Sequence, residues 1–239
     1  MKPLNIFILG LLILYTYTVS GQEPGYYESK RGNVTTMGFY ENGKKDGTWV
    51  NTDRNGNITN LQSYKEGEKN GLFLDFDRRG YIVKQEFYDN GKLHGWVIEY
   101  YSASKPMHKT YYNKGVISGK MYRYYENGRM MEESNYREGV KHGTSKWYDE
   151  RQKLVAQYDY DNGIFNGTNF TFHENGNIKT SEEYDNNVLN GNYEEFYPTG
   201  KTKVSGNYEE GKKHGIWTEY KPNGEVDNKV EYNMGEPVK

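Results

Sequence analysis

No cysteine occurs in the 239 residues, which excludes disulfides, thiolate metal sites and thiol catalysis together. Aliphatic side chains are scarce: hydrophobic residues make up 34% of the chain and aromatics alone 16%. This argues against a helix bundle or a conventional α/β core, both of which need long runs of Leu, Ile and Val. An excess of one charge is missing too. With a formal net charge of -2, nothing draws in phosphate backbones or anionic lipid over a long range, and nucleic acid is not expected as a partner. What the chain does have is 25 Tyr and 28 Gly, and a chain this aromatic is not a disordered one.

At the N-terminus Met1-Lys2 gives a short positive start, Leu4 to Leu14 is almost wholly apolar, and Val19-Ser20-Gly21 precedes Gln22. Residues 1–21 therefore read as a secretory signal peptide, which predicts a periplasmic, cell-surface or secreted protein. The run is short against the ~20 apolar residues of a spanning helix, although Tyr15, Tyr17 and Val19 could extend it into an uncleaved anchor. No cysteine follows it, so the chain is not a lipid-modified lipoprotein.

Internal periodicity decides the rest. Tyr40, Tyr64, Tyr88, Tyr112, Tyr136, Tyr160, Tyr184, Tyr208 and Tyr232 recur every 24 residues, and so does an unbroken row from Gly47 to Gly215. A second glycine row, from Gly43 to Gly235, departs only at Asn187, the side chain that best tolerates positive φ. A third, from Gly32 to Gly224, is broken at Ser104 and Gln152. Between them lies an aromatic row, Phe76, Tyr100, Tyr124, Tyr148, Phe172, Phe196 and Tyr220, followed six residues later by a mostly aliphatic one that includes Ile82, Leu154 and Val226. Each unit reads as two short strands. The organisation is a half repeat over 22–39, eight tandem repeats over 40–231 and a C-terminal cap over 232–239.

Pro222-Asn223-Gly224 has the order of a three-residue hairpin loop closed by a left-handed glycine. That loop pairs Tyr220 with Val226, so the aromatic and aliphatic rows share one face. The fixed tyrosines have the parity of the aliphatic row and are expected on that face as well. The opposite face, with Glu99, Arg123, Glu195 and Glu219, is expected to be mainly solvated, with apolar patches at Trp49, Phe73, Trp147 and Trp217. Such a hairpin cannot bury its own apolar face, so neighbours must stack. The predicted fold is all-β: an elongated single-layer antiparallel sheet of stacked β-hairpins, with open edges that Pro237 helps to blunt at one end.

The unit Tyr-x-x-Gly-x-x-x-Gly-x-x-x-x-aromatic-x-x-Asn-Gly, as in Tyr208 to Gly224, resembles the MORN-repeat variant of bacterial proteins labelled YwqK-family antitoxins. The likeness runs from about Tyr27 to Gly235. It implies a sheet of stacked hairpins and a role in protein or membrane association, and it brings no catalytic residues. The export signal sets this chain apart from a neutraliser of a cytosolic toxin. Leucine-rich repeats can share the period, but leucine is too rare here. Choline-binding repeats need a tryptophan in every unit, and YD repeats lack the unbroken glycine row.

Chemistry-bearing residues read mostly as structure. His94, His142 and His214 precede the invariant glycine, a slot held elsewhere by Asp46, Asn70, Ser118, Asn166 and Asn190, and are read as turn residues. His94 and His142 are two units apart, so at ~10 Å per hairpin they lie too far from each other to share a zinc ion. Glu132-Glu133, Glu182-Glu183, Glu194-Glu195 and Glu209-Glu210 place adjacent carboxylates on opposite faces of a strand, which makes no acid and base dyad. No enzyme, cofactor or metal is expected. Lys44-Lys45 and Lys212-Lys213, with Lys69 and Lys141, form a basic line that reads as gatekeeping of the sheet edge or as contact with anionic headgroups.

The expected function is that of an exported, non-enzymatic protein-binding or scaffold module. The candidate binding row is Phe76, Tyr100, Tyr124, Tyr148, Phe172, Phe196 and Tyr220, because Tyr offers contact area and a polar tip at modest entropic cost. The alternatives are an immunity-like antagonist of a toxin and a module associating with a membrane or cell-wall glycan.

Overall fold

The structure is a computed structural model that describes residues 24–238; the signal segment read over 1–21 lies outside them. The described residues form 23 strands, with no α-helix and a single 3-10 turn at Ser102–Ser104. They divide into two compact units, one ending at Lys92 and the other starting at Leu93. In each unit consecutive strands pair antiparallel in one open layer of hairpins.

Two kinds of turn join the strands, and both follow from the glycine rows. The two-residue turns have positive φ at both positions, as at Asn42 (51°) and Gly43 (73°), which is the type I′ geometry that matches strand twist. Asn187, which departs from the glycine row, keeps the conformation at 67°. Glu66, Glu138 and Glu210 hold the first turn position at 48–51°, where a side chain without local hydrogen-bonding ability costs roughly 1 kcal/mol. Glu138→Asn is expected to stabilise the chain by about 0.5–1 kcal/mol, read as a higher urea midpoint at unchanged m-value. The three-residue loops also form as expected: Gly224 N–H donates to Lys221 O at 2.8 Å, and Tyr220 pairs with Val226.

The glycine row from Gly47 to Gly215 behaves differently from the sequence reading. Gly47 and Gly143 have φ of 68° and 76° but lie within paired strands: Phe39 pairs with Asp46 and Met37 with Val50, so the chain bulges between them. The slot of His94, His142 and His214 is therefore part of a β-bulge, and the positive φ belongs to the glycine that follows.

A second bulge corrects the assignment of faces. Trp147 pairs with Ala156 but Tyr148 with Leu154, leaving Val155 as an extra residue, and the same shift recurs at Phe76, Tyr124, Phe172, Phe196 and Tyr220. One extra residue inverts parity. The aromatic and aliphatic rows share a face, as expected, but the fixed tyrosines lie on the other face, opposite the invariant glycines. Glu99, Arg123, Glu195 and Glu219 share this tyrosine face with Trp49, Phe73 and Trp217, and it is the better buried face rather than a solvated one.

A single layer buries a tryptophan by enclosing it within its own face. Trp49 is 2% and Trp217 5% exposed. Beneath each ring lies a glycine, Gly38 or Gly206. Tyrosines flank it edge-on: Tyr40 is 4.9 Å from Trp49 and Tyr208 5.0 Å from Trp217 between ring centroids. A lysine closes the top, with Lys45 Nζ 4.2 Å from the Trp49 ring and Lys213 Nζ 4.1 Å from that of Trp217. Lys69 covers Phe73 and Lys141 covers Trp147 in the same way. Such contacts contribute roughly 0.5–1.5 kcal/mol each beyond area burial, and burial lowers the Lys45 pKa. Four lysines of the expected basic line are thus lids over aromatic rings, while Lys44 and Lys212 remain exposed.

Neighbouring loops are laced together along the chain. Tyr125 and Tyr197 donate their hydroxyls to the carbonyls of Tyr148 and Tyr220 at 2.8 and 2.7 Å. His173 Nε2 lies 2.8 Å from Phe196 O, Asn175 donates to Pro198 O, and Lys153 to Glu174 O. Each loop braces the next, which is the nearest-neighbour coupling of a repeat array.

Candidate functional site

The reverse face, opposite the fixed tyrosines, carries the candidate site. In the second unit, strand Gly95–Tyr101 pairs with Lys105–Asn113, which pairs with Val116–Tyr124. Alternation brings Trp96, Ile98 and Tyr100 to the reverse face, and the direct pairing Tyr111↔Trp96 adds a ring opposite the tryptophan. Trp96 meets Tyr111 edge-on at 5.3 Å and stacks against Tyr122 at 5.9 Å, and Tyr122 continues to Tyr124 at 6.4 Å. Every one of these rings is half-buried. They form an open platform.

The platform is basic. Lys109 Nζ lies 4.2 Å from the Trp96 ring centroid, and Lys120 forms a 2.5 Å ion pair with Glu133. Lys146, on strand Gly143–Tyr148, stands directly opposite Glu133. Three lysines therefore accompany one glutamate. Burial pushes the Tyr124 and Tyr148 phenols above their ordinary pKa and the charge of Glu133 raises both further, while Lys120 opposes the shift at Tyr148. Both tyrosines are neutral donors at physiological pH.

The predicted binding row is placed as follows. Phe76 belongs to the first unit; Tyr100, Tyr124, Tyr148, Phe172, Phe196 and Tyr220 belong to the second. All are half-buried and stand at the ends of their strands, one per hairpin. Tyr124 joins the ring cluster through its contact with Tyr122. Trp96, Tyr111, Tyr122 and the three lysines escaped the sequence reading, because their repeat positions hold unrelated residues in other units: Leu72, Lys120 and Thr144 occupy the slot of Trp96. The density of aromatics between Trp96 and Tyr125 was the one available signal.

The histidines lie apart. His142 Nδ1 is 3.1 Å from Asp161 and His214 Nε2 3.3 Å from Glu209, each a local pair within its own hairpin. Among the described residues no three His, Asp or Glu side chains gather as a metal set.

No curated protein matches the chain. Four segments, residues 117–138, 165–186, 189–210 and 213–234, match the family model of the MORN repeat variant. Each begins on the strand that carries the invariant glycine of one repeat or on the short bulged strand before it, and each ends at the next type I′ turn. The match thus spans one full lap of the repeat, glycine bulge, three-residue loop and paired tyrosine strand, and four of the repeats of this all-β chain are similar to MORN-variant repeats.

Proposed function

We propose that the protein is an exported, non-catalytic binding or scaffold module that engages a protein partner through its reverse face between Trp96 and Tyr148. One contrast carries the reading. The tyrosine face closes on itself through glycine, ring and lysine lid, whereas Trp96, Tyr111, Tyr122 and Tyr124 stand half-exposed beside lysines. Half-exposed aromatic anchors with polar tips are the residues on which binding energy concentrates. MORN repeats are consistent with such a module, and equally with association to a membrane. An antagonist of an extracytoplasmic toxin would use the same face.

The test is capture of partners from the envelope fraction with the whole chain and with two variants. Tyr124→Ser is expected to weaken retention of a specific protein about tenfold. Lys44→Glu with Lys212→Glu, which alters the exposed lysines beside the type I′ turns, is expected to leave it unchanged. The reverse pattern, with loss of liposome binding in the lysine variant, would replace a protein partner by a membrane surface.

A further inference from the structure

Resting on that reading of the reverse face, we propose that the platform takes an acidic, proline-rich polypeptide segment in the polyproline II conformation. The first argument is spacing. Tyr100, Tyr124 and Tyr148 occupy the same position in successive hairpins, two strands apart, and strands ~4.8 Å apart set a pitch of ~9.6 Å. A polyproline II helix advances ~3.1 Å per residue with three residues per turn, or ~9.3 Å per turn. Ligand residues i, i+3 and i+6 therefore meet one tyrosine each. Proline packs flat on aromatic rings, and its helix is preformed, so little entropy is lost on docking.

The second argument is charge. Glu133 forms an ion pair with Lys120, and Lys109 and Lys146 add further positive charge to the platform. In a polyproline II ligand the two residues between successive prolines point sideways, toward these lysines, and complementary charge there means Glu or Asp. The backbone of such a helix makes no internal hydrogen bonds, so its carbonyls remain free to accept from the neutral Tyr124 and Tyr148 hydroxyls. A single strand of nucleic acid also favours rings beside lysines. The polyproline II segment is preferred because its turn matches the ~9.6 Å ring pitch.

The test is fluorescence anisotropy of the whole chain with labelled (Pro-Pro-Glu)5, (Pro-Pro-Lys)5, (Pro-Pro-Glu-Glu)4 and an oligothymidylate. The glutamate peptide of period three is expected to bind saturably, more weakly at high salt. Tyr124→Ser and Lys146→Glu are each expected to weaken it about tenfold. Lys146→Glu alters a partly exposed side chain, so it remains decisive should Tyr124→Ser disturb folding, as checked by circular dichroism. Equal binding of the lysine or period-four peptide, tighter binding of the oligothymidylate, or no effect of Lys146→Glu would overturn the proposal. Failure of all peptides while envelope capture still depends on Tyr124 would reject this ligand chemistry alone. Insensitivity of capture to Tyr124 would reject the binding face itself.

Discussion

Replacing Lys141 by methionine is expected to destabilise the chain by about 3 kcal/mol, because it strands a buried carboxylate. Glu132 is 3% exposed, on the better buried face. Lys141 Nζ meets one of its oxygens at 2.8 Å, Ser134 Oγ donates to the same oxygen at 2.7 Å, and Arg123 Nη1 reaches the other at 3.4 Å. Lys141 also lies 4.7 Å from the Trp147 ring centroid. Methionine can keep that apolar contact but not the charge. Removing Glu132 instead should cost less, since Lys141 and Arg123 are partly exposed and can turn to water. The double variant Glu132→Leu, Lys141→Met should recover much of the loss, as buried pairs replaced by apolar residues often do. Equilibrium urea unfolding of the four proteins closes the cycle; additive losses would refute the coupling.

The same carboxylate gives the effect a pH signature. Burial acts to raise the Glu132 pKa, but the hydrogen bonds from Lys141 and Ser134 and the charges of Lys141 and Arg123 outweigh it and hold the pKa below the ordinary value. A depressed carboxylate pKa contributes stability that is complete above the unfolded value and is lost as pH falls through the folded one. In Lys141→Met the main lowering partner is gone. The gap between variant and wild type should therefore be widest near neutral pH and narrow below about pH 4. A gap independent of pH would mean that the lysine acts only by packing.

The architecture was legible in the sequence because backbone conformation leaves a residue-type trace. Positive φ demands glycine or its nearest substitutes, so the turn rows appear as letters, and even Gln152, which breaks a row, keeps φ at 66°. The assignment of faces was not legible. It depends on a bulge whose extra residue can be of any type: Val83, Met131, Val155, Lys179, Lys203 and Asp227 follow no pattern. The most buried row was hidden for a related reason. Trp49, Phe73, Val97, Met121, Ser145, Asn169, Tyr193 and Trp217 share one repeat position but no chemistry. At Trp49 and Trp217 what admits the ring is the room left by Gly38 and Gly206 across the strand pair. The binding platform was hidden because it breaks the repeat: its rings are local to three strands, and periodicity reveals only what recurs.

Gly206→Ala tests that complementarity of volume. Gly206 has an ordinary negative φ, so alanine brings no backbone strain. Its Cβ, however, would lie 2.8 Å from Trp217 Cε3 and closer still to Cδ2 and Cε2. Trp217 cannot yield freely. Tyr193 stacks on it at 5.3 Å, Tyr208 and Tyr232 flank it, Lys213 lies over it, and its Nε1 donates to Asn207 O at 3.1 Å. Overpacking of this kind costs about 1–3 kcal/mol, and the rigid ring places this case at the upper end. The cure should come from across the pair. Elsewhere in the array a side chain smaller than tryptophan meets one larger than glycine at this position, as Met121 does opposite Thr110. Trp217→Met alone removes a buried ring and should destabilise by about 2–3 kcal/mol, yet in the Gly206→Ala background it relieves the clash. The double variant should therefore be more stable than the sum of the single losses by at least 1 kcal/mol. Strict additivity would mean that Gly206 is small for some reason other than the indole beside it.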